Sequence, residues 1–118
     1  MTLENQKINV NQNSEREVYH LIFPEKYHNQ DSKNLLIEEQ KTSDNKTIRI
    51  YASGLKEVYF PSGVRRESYS DGYMVIFFEN KDIRQQYANG KMVYYFSDHQ
   101  ITQTLTERGD KILLFPNG

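Results

Sequence analysis

The sequence predicts an all-β fold. It is read as a single free-standing antiparallel meander, about one strand per nine residues, preceded by a mostly irregular N-terminal segment. Three observations carry this reading. An aromatic residue falls at Tyr51, Phe60, Tyr69, Phe78, Tyr87 and Phe96, a spacing of nine without exception. Three positions after each comes glycine or a turn-tolerant substitute, at Gly54, Gly63, Gly72, Lys81, Gly90 and His99; after one inserted residue the phase resumes at Gly109, Phe115 and Gly118. The runs between turns, such as Met74 to Phe78 and Met92 to Phe96, are rich in Val, Ile, Phe and Tyr and too short to hold a helix.

Composition agrees with a thin structure. In 118 residues, 36% are hydrophobic and 26% charged, and the mean hydropathy is -0.83. Tyr supplies nine residues and Phe six. Tyrosine has an apolar ring and a polar tip, so it suits half-exposed positions. The net charge of -1 is no polycationic signature for nucleic acid or membrane. Cysteine is absent, which excludes a disulfide framework and makes the cytoplasm the default compartment. No apolar run of the N-terminal region has signal-peptide length.

In chain order, residues 1–17 are rich in Asn, Gln, Glu and Lys without periodicity, and read as a disordered leader. Two apolar islands follow. Val18 to Pro24 reads as an isolated strand, a docking segment or a short recognition motif; Leu35 to Glu39 reads as extended chain or one helical turn. Neither fits the nine-residue phase. Residues 1–43 are therefore expected to be a polar segment, largely disordered or loosely docked, and residues 44–118 the repeat sheet. Its strands are expected at 47–51, 56–60, 65–69, 74–78, 83–87, 92–96, 100–106 and 111–115. Connections this short permit only antiparallel neighbours.

The turn pairs Ser53-Gly54, Ser62-Gly63, Asp71-Gly72 and Asn89-Gly90 suggest two-residue type I′ hairpins. Such turns set Tyr51 opposite Lys56, Phe60 opposite Arg65 and Phe78 opposite Ile83. An odd period with an even turn preserves parity, so all the periodic aromatics are expected on one face. They share it with a middle row of Arg49, Val58, Glu67, Ile76, Gln85, Tyr94 and Gln103. Because direction reverses at each turn, Phe60, Phe78, Phe96 and Phe115 fall at one rim, and Tyr51, Tyr69 and Tyr87 at the other. Alternate strands are apolar on both faces, and those between them are polar on both. Such stripes predict one sheet wet on both sides, not half of a sandwich. The inserted residue after His99 is expected to make a bulge in strand 100–106, which keeps Leu113 and Phe115 on the aromatic face. The pattern stops in mid-repeat at Gly118, which predicts an array truncated at its C-terminal end.

No catalytic constellation stands out. His20, His28 and His99 share no metal-ligand spacing, no nucleophile or phosphate-loop motif occurs, and carboxylates are scattered singly. The expectation is a protein that is not an enzyme and carries no cofactor or metal. Aromatics interleaved with basic residues can bind single-stranded RNA, but the RRM signature is absent and residues 46–118 carry 10 basic and 8 acidic groups. Regularly spaced exposed Phe is costly unless something covers it. Alternate strands repeat at about 9.6 Å. A polyproline II helix advances about 9.3 Å per turn. A proline-rich peptide laid across the strands would meet Phe78, Phe96 and Phe115 in step, with Ile76, Tyr94 and Leu113 as a second wall.

The segments Ile48 to Gly54, Phe60 to Gly63, Phe77 to Ile83, Val93 to Asp98 and Leu114 to Gly118 resemble the G-box, the C-terminal domain shared by t-complex protein ten and the centriole assembly scaffold CPAP (centromere protein J). The resemblance runs in continuous register over about residues 44–118. It implies a solitary extended sheet and a non-catalytic interaction module at the centriole, centrosome or basal body. The implied partner is a STIL-like centriolar protein, bound through a proline-rich segment. The family's binding aromatics match Phe78, Tyr94 and Phe115; Ile76, Phe96 and Leu113 join them from the spacing argument. An acidic residue that the family uses just beyond the Phe-Pro-Asn-Gly turn would fall after Gly118. The other reading is a structural sheet that self-associates edge to edge without a peptide ligand.

Overall fold

The computed structural model describes residues 21–24 and 35–116. The expected disordered leader at 1–17 lies outside the described residues. Nine strands form one sheet in strictly sequential order: β1 (Leu36–Lys41), β2 (Thr47–Tyr51), β3 (Lys56–Tyr59), β4 (Arg65–Ser68), β5 (Met74–Phe77), β6 (Ile83–Gln86), β7 (Met92–Phe96), β8 (Ile101–Leu105) and β9 (Lys111–Leu114). Every neighbouring pair is antiparallel. The meander is thus one strand longer than the repeat predicts. The second apolar island supplies that strand, with a register shift between Leu36 and Glu38 where it leaves the ladder.

The turns differ from the expected type. Tyr51 N–H donates to Leu55 O at 2.9 Å and Gly54 N–H donates to Tyr51 O at 2.9 Å. The same pair of bonds recurs at Phe60, Tyr69, Phe78, Tyr87 and Thr106. Each loop therefore has three residues, with φ > 0 only at the last, as in a type I turn closed by a glycine bulge. The residue before that position acts through its side chain. Ser53 Oγ, Ser62 Oγ, Asp71 Oδ1, Asn80 Oδ1 and Asn89 Oδ1 each accept from the N–H two residues ahead, at 2.9–3.4 Å. Where Asp44 or Arg108 holds that slot, a threonine at the head of the loop substitutes: Thr42 and Thr106 Oγ1 accept from the N–H four residues on, both at 3.0 Å.

Glycine meets two demands at Gly72. Its φ is +95°, and an added Cβ would lie 2.8 Å from Ala88 Cβ, because turns on one rim abut their second neighbours. Lys81 and Asn45 adopt φ of 79° and 70° in equivalent places.

The three-residue loop corrects the predicted pairing. Tyr51 opposes Leu55, Phe60 opposes Val64 and Phe78 opposes Asp82. An odd loop with an odd period inverts parity at each strand, so residues nine apart lie on opposite faces. The periodic aromatics divide: Tyr51, Tyr69 and Tyr87 lie on face A, and Phe60, Phe78, Phe96 and Phe115 on face B. The expected middle row divides likewise, with Arg49, Glu67 and Gln85 on face A and Val58, Ile76, Tyr94 and Gln103 on face B. The inserted residue makes no bulge in β8. It lengthens the β7–β8 turn to four residues, since Phe96 pairs Ile101 in an unbroken ladder, and Gln100 takes φ 56°.

Face A carries the core, so the expectation of two wet faces fails there. Tyr69, Tyr73, Val75, Phe77, Ile83, Val93 and Tyr95 are buried together with Leu55 under Leu21 and Phe23. The described part of the first apolar island, residues 21–24, thus docks on face A, with Ile22 79% exposed. Phe23 stacks on Phe77 at 6.3 Å, and Arg65 lies over the Phe77 ring at 4.2 Å. Tyr69, Tyr73 and Tyr87 form a ladder at 5.5 and 5.1 Å between centroids. Several polar groups buried here are tied in, although Thr102 Oγ1 finds no partner among the described residues. Gln85, 1% exposed, donates through Nε2 to Ile22 O at 2.8 Å and contacts Tyr73 Oη at 2.9 Å. Tyr69 and Tyr51 hydroxyls donate to Glu67 and Glu57 at 3.0 and 2.9 Å.

Candidate functional site

Among the described residues, face B is the open side of the sheet. Its alternation follows from the inverted parity: apolar β5, β7 and β9 present Ile76, Phe78, Tyr94, Phe96, Leu113 and Phe115, while β4, β6 and β8 interpose Arg66, Arg84 and Gln103. Cross-strand pairing fixes the middle row in the order Val58, Arg66, Ile76, Arg84, Tyr94, Gln103, Leu113. The rim row runs Phe60, Val64, Phe78, Asp82, Phe96, Ile101, Phe115. All six residues that the sequence nominates for partner binding therefore share one face, spread over alternate strands.

Their packing differs along the face. Phe78 and Tyr94 rings approach at 5.9 Å, and Tyr94 and Phe96 at 4.5 Å, which forms a continuous aromatic strip from β5 to β7. Phe78, Ile76 and Tyr94 are half-buried by their neighbours. Phe96 is 37% exposed, Leu113 46% and Phe115 48%. The strip thus grows more open toward β9, where the last strand has a neighbour on one side only. Leu113 and Phe115 are separated from the strip by Gln103 and Ile101 of β8.

Asp82 fixes the strip's geometry. It occupies the rim row on β6, flanked by Phe78 and Phe96, where an isolated carboxylate would be badly solvated. Its Oδ2 accepts from Tyr94 Oη at 2.8 Å and its Oδ1 accepts from Ser97 N–H at 2.8 Å; Ser97 Oγ donates to Asn80 O at 2.7 Å. Burial works against the Asp82 charge, but the bonds from Ser97 and Tyr94 outweigh it and hold the carboxyl below its usual range. Burial, then the bond to Asp82, pushes the Tyr94 phenol up to about 12. The hydroxyl stays a donor at any ordinary pH, and the ring is held between two Phe rings, tilted 31° to Phe78 and 42° to Phe96. The sequence reading misses Asp82, because a carboxylate twelve residues from Tyr94 shows no local pattern. It also misses the docking of Leu21 and Phe23 on face A. The signal for the parity was present: serine in two of the turn pairs is a poor residue for φ > 0 and fits the three-residue loop better.

The chemistry of face B is that of a contact surface: flat, aromatic and aliphatic, with flanking donors. Among the described residues no three His, Cys, Asp or Glu side chains converge to hold a metal ion.

No protein-family model and no curated protein matches the chain. Solved structures do. One is the wild-type TCP10 domain of Danio rerio CPAP in complex with a peptide of Danio rerio STIL, similar at a TM-score of 0.62 and 18% identity over 68% of this chain and 44% of that one. Another is a mutant of the same Danio rerio domain, at a TM-score of 0.62 and 16% identity over 68% of this chain and 47% of the other. This chain spans under half the length of those domains. At these identities the likeness is one of fold, and at that level the resemblance to the TCP10 or G-box domain holds.

Proposed function

We propose that this chain, sharing the fold of the TCP10 domain, is a non-catalytic protein-interaction module of a centriole or basal-body assembly scaffold. It takes a proline-rich segment of a STIL-like centriolar partner across face B. The observation that carries this reading is the gathering of Ile76, Phe78, Tyr94, Phe96, Leu113 and Phe115 on the one face that the chain's own Leu21 and Phe23 leave open. The peptide runs across the strands, and alternate strands at about 9.6 Å match its turn of about 9.3 Å. Proline rings stack on Phe78 and Phe96, and the Tyr94 ring, locked by Asp82, is preorganised for them at little entropic cost. That one neighbour in fold, the CPAP domain, was solved with a STIL peptide supports the reading.

The test is titration of the chain with a proline-rich peptide by fluorescence anisotropy. Saturable 1:1 binding is expected, weakened at least tenfold by Phe78→Ala and by Tyr94→Ala, since loss of a central aromatic anchor costs about 2 kcal/mol or more. Unchanged affinity in both folded variants sinks the proposal. The second reading, edge-to-edge assembly, is favoured by the edge strand β9, which pairs on one side only and exposes Leu113 and Leu114. It predicts concentration-dependent scattering that peptide does not suppress.

A further inference from the structure

The charge on face B is one-sided. From β3 to β9 the face carries Lys56, Arg66, Arg84 and Lys111 against a single carboxylate, Asp82. Asp82 forms no ion pair with those cations; its Oδ1 accepts from Ser97 N–H and its Oδ2 from Tyr94 Oη. The acidic groups paired with arginine lie on the other face, as with Glu67 and Arg65 or Glu39 and Arg49. Arg66 and Arg84 make no ion pair among the described residues. Their Nε atoms are shut off from water and find no acceptor among the described residues, and both half-buried residues stand in the middle row. The Arg66 guanidinium lies over the face of Phe60, at 5.9 Å. Two half-buried cations on an apolar face, with no ion-pair partner among the described residues and four cations there to one carboxylate, mark a surface suited to an anionic group from outside.

Their spacing specifies more. Arg66 on β4 and Arg84 on β6 sit two strands apart, about 9.6 Å. They alternate with the apolar positions Ile76 on β5 and Tyr94 on β7. A polyproline II peptide whose prolines meet the apolar strands brings another position of each three-residue turn, about 9.3 Å apart, over β4 and β6. The geometry points to a partner segment that is acidic as well as proline-rich, with Asp or Glu recurring every third residue over at least two turns, read by Arg66 and Arg84. This rests on the reading of face B as a peptide-docking surface and names the chemistry of that peptide. A single-stranded nucleic acid is disfavoured because four cations on the face do not make the basic stripe that a phosphate backbone needs.

The test uses the full chain and three synthetic peptides of equal length, built on Pro-Pro-Glu, Pro-Pro-Gln and Pro-Pro-Lys triplets, with an oligouridylate as the competing class. At low salt the Glu peptide is expected to bind about three- to tenfold more tightly than the Gln peptide, as two partly exposed ion pairs allow, and the Lys peptide more weakly than both. Raising salt toward 0.3 M should narrow the gap between Glu and Gln peptides, because the extra affinity is screened. Arg66→Gln and Arg84→Gln should each shrink the preference for Glu, and Arg84→Lys should keep most of it. Salt dependence on the unaltered chain decides the matter even if a variant fails to fold. Equal binding of Glu and Gln peptides overturns the acidic specificity while leaving the docking surface standing. Binding of none of the three overturns the docking surface and this inference with it. Saturable binding of oligouridylate tighter than any peptide overturns both in favour of a nucleic-acid face.

Discussion

Gly72 and Gly90 occupy equivalent turns, with φ of +95° and +98°, yet their surroundings differ. An added Cβ at Gly72 would meet Ala88 Cβ at 2.8 Å, whereas at Gly90 nothing lies within 4 Å. Both Gly→Ala changes force an L-residue into the left-handed region, at a cost of about 1–2 kcal/mol. Both also reduce the freedom of the unfolded chain, which offsets about 0.4–1 kcal/mol in each. These contributions cancel when the two variants are compared. What remains is the crowding at Gly72, for which forced displacement of a packed neighbour costs about 1–3 kcal/mol. Equilibrium urea unfolding followed by far-ultraviolet circular dichroism should therefore show Gly90→Ala losing roughly 1 kcal/mol and Gly72→Ala losing about 2–4 kcal/mol, with the slope unchanged. Ala88→Gly in the Gly72→Ala background should recover most of the difference, a coupling that a double-mutant cycle measures. Equal losses at the two glycines, or no recovery with Ala88→Gly, would refute the claim that turns on one rim are packed against their second neighbours.

Three further outcomes follow from face A and from the pinned tyrosines. Gln85→Leu keeps the volume but leaves Ile22 O and Tyr73 Oη without the amide, and should cost about 1–3 kcal/mol in urea unfolding; a neutral result would mean that the docked segment is not held by that amide. Phe23→Ala removes the ring stacked on Phe77 and should cost about 2–4 kcal/mol in urea unfolding; unchanged stability would show that Phe23 contributes nothing to the fold. Tyr51 and Tyr94 both have folded-state pKa values of about 12 against an ordinary 10.0, raised first by burial and then by their carboxylate partners. A raised phenol contributes stability that is complete below pH 10 and lost as pH climbs toward 12, because the unfolded chain gives up its protons first. Stability should fall over that window, and Tyr94→Phe should flatten part of the fall; a pH-independent midpoint from 10 to 12 would contradict it.

Much of this was legible along the chain because its causes are local. The antiparallel meander follows from turns spaced too closely for any crossover. The side-chain bonds of Ser53, Asp71 and Asn89 reach two residues and leave their mark as Ser, Asp or Asn before glycine. The nomination of Phe78, Tyr94 and Phe115 needed only that they stand on alternate strands, an even number of parity inversions apart. For that reason they share a face whether the loop has two residues or three. Gln85 and Tyr51 do not have that protection. They stand one repeat, or an odd number of repeats, from the nominated row, so the same error moved them to the wrong side.

What the sequence by itself determined is the period, the antiparallel order, the stripes of apolar and polar strands and the separation of Phe from Tyr at the two rims. All of these arise from contacts within one hairpin. The tertiary structure alone decided which face is open. A single residue in the loop, three where two also suit an Asn-Gly or Asp-Gly pair, inverts every second strand, since side chains alternate with a period of two. The docking of Leu21 and Phe23 then buries the tyrosine face through Gln85, 63 residues from Ile22. An interaction at that distance has no periodic signature, and it is what leaves Phe78, Tyr94 and Phe96 facing water.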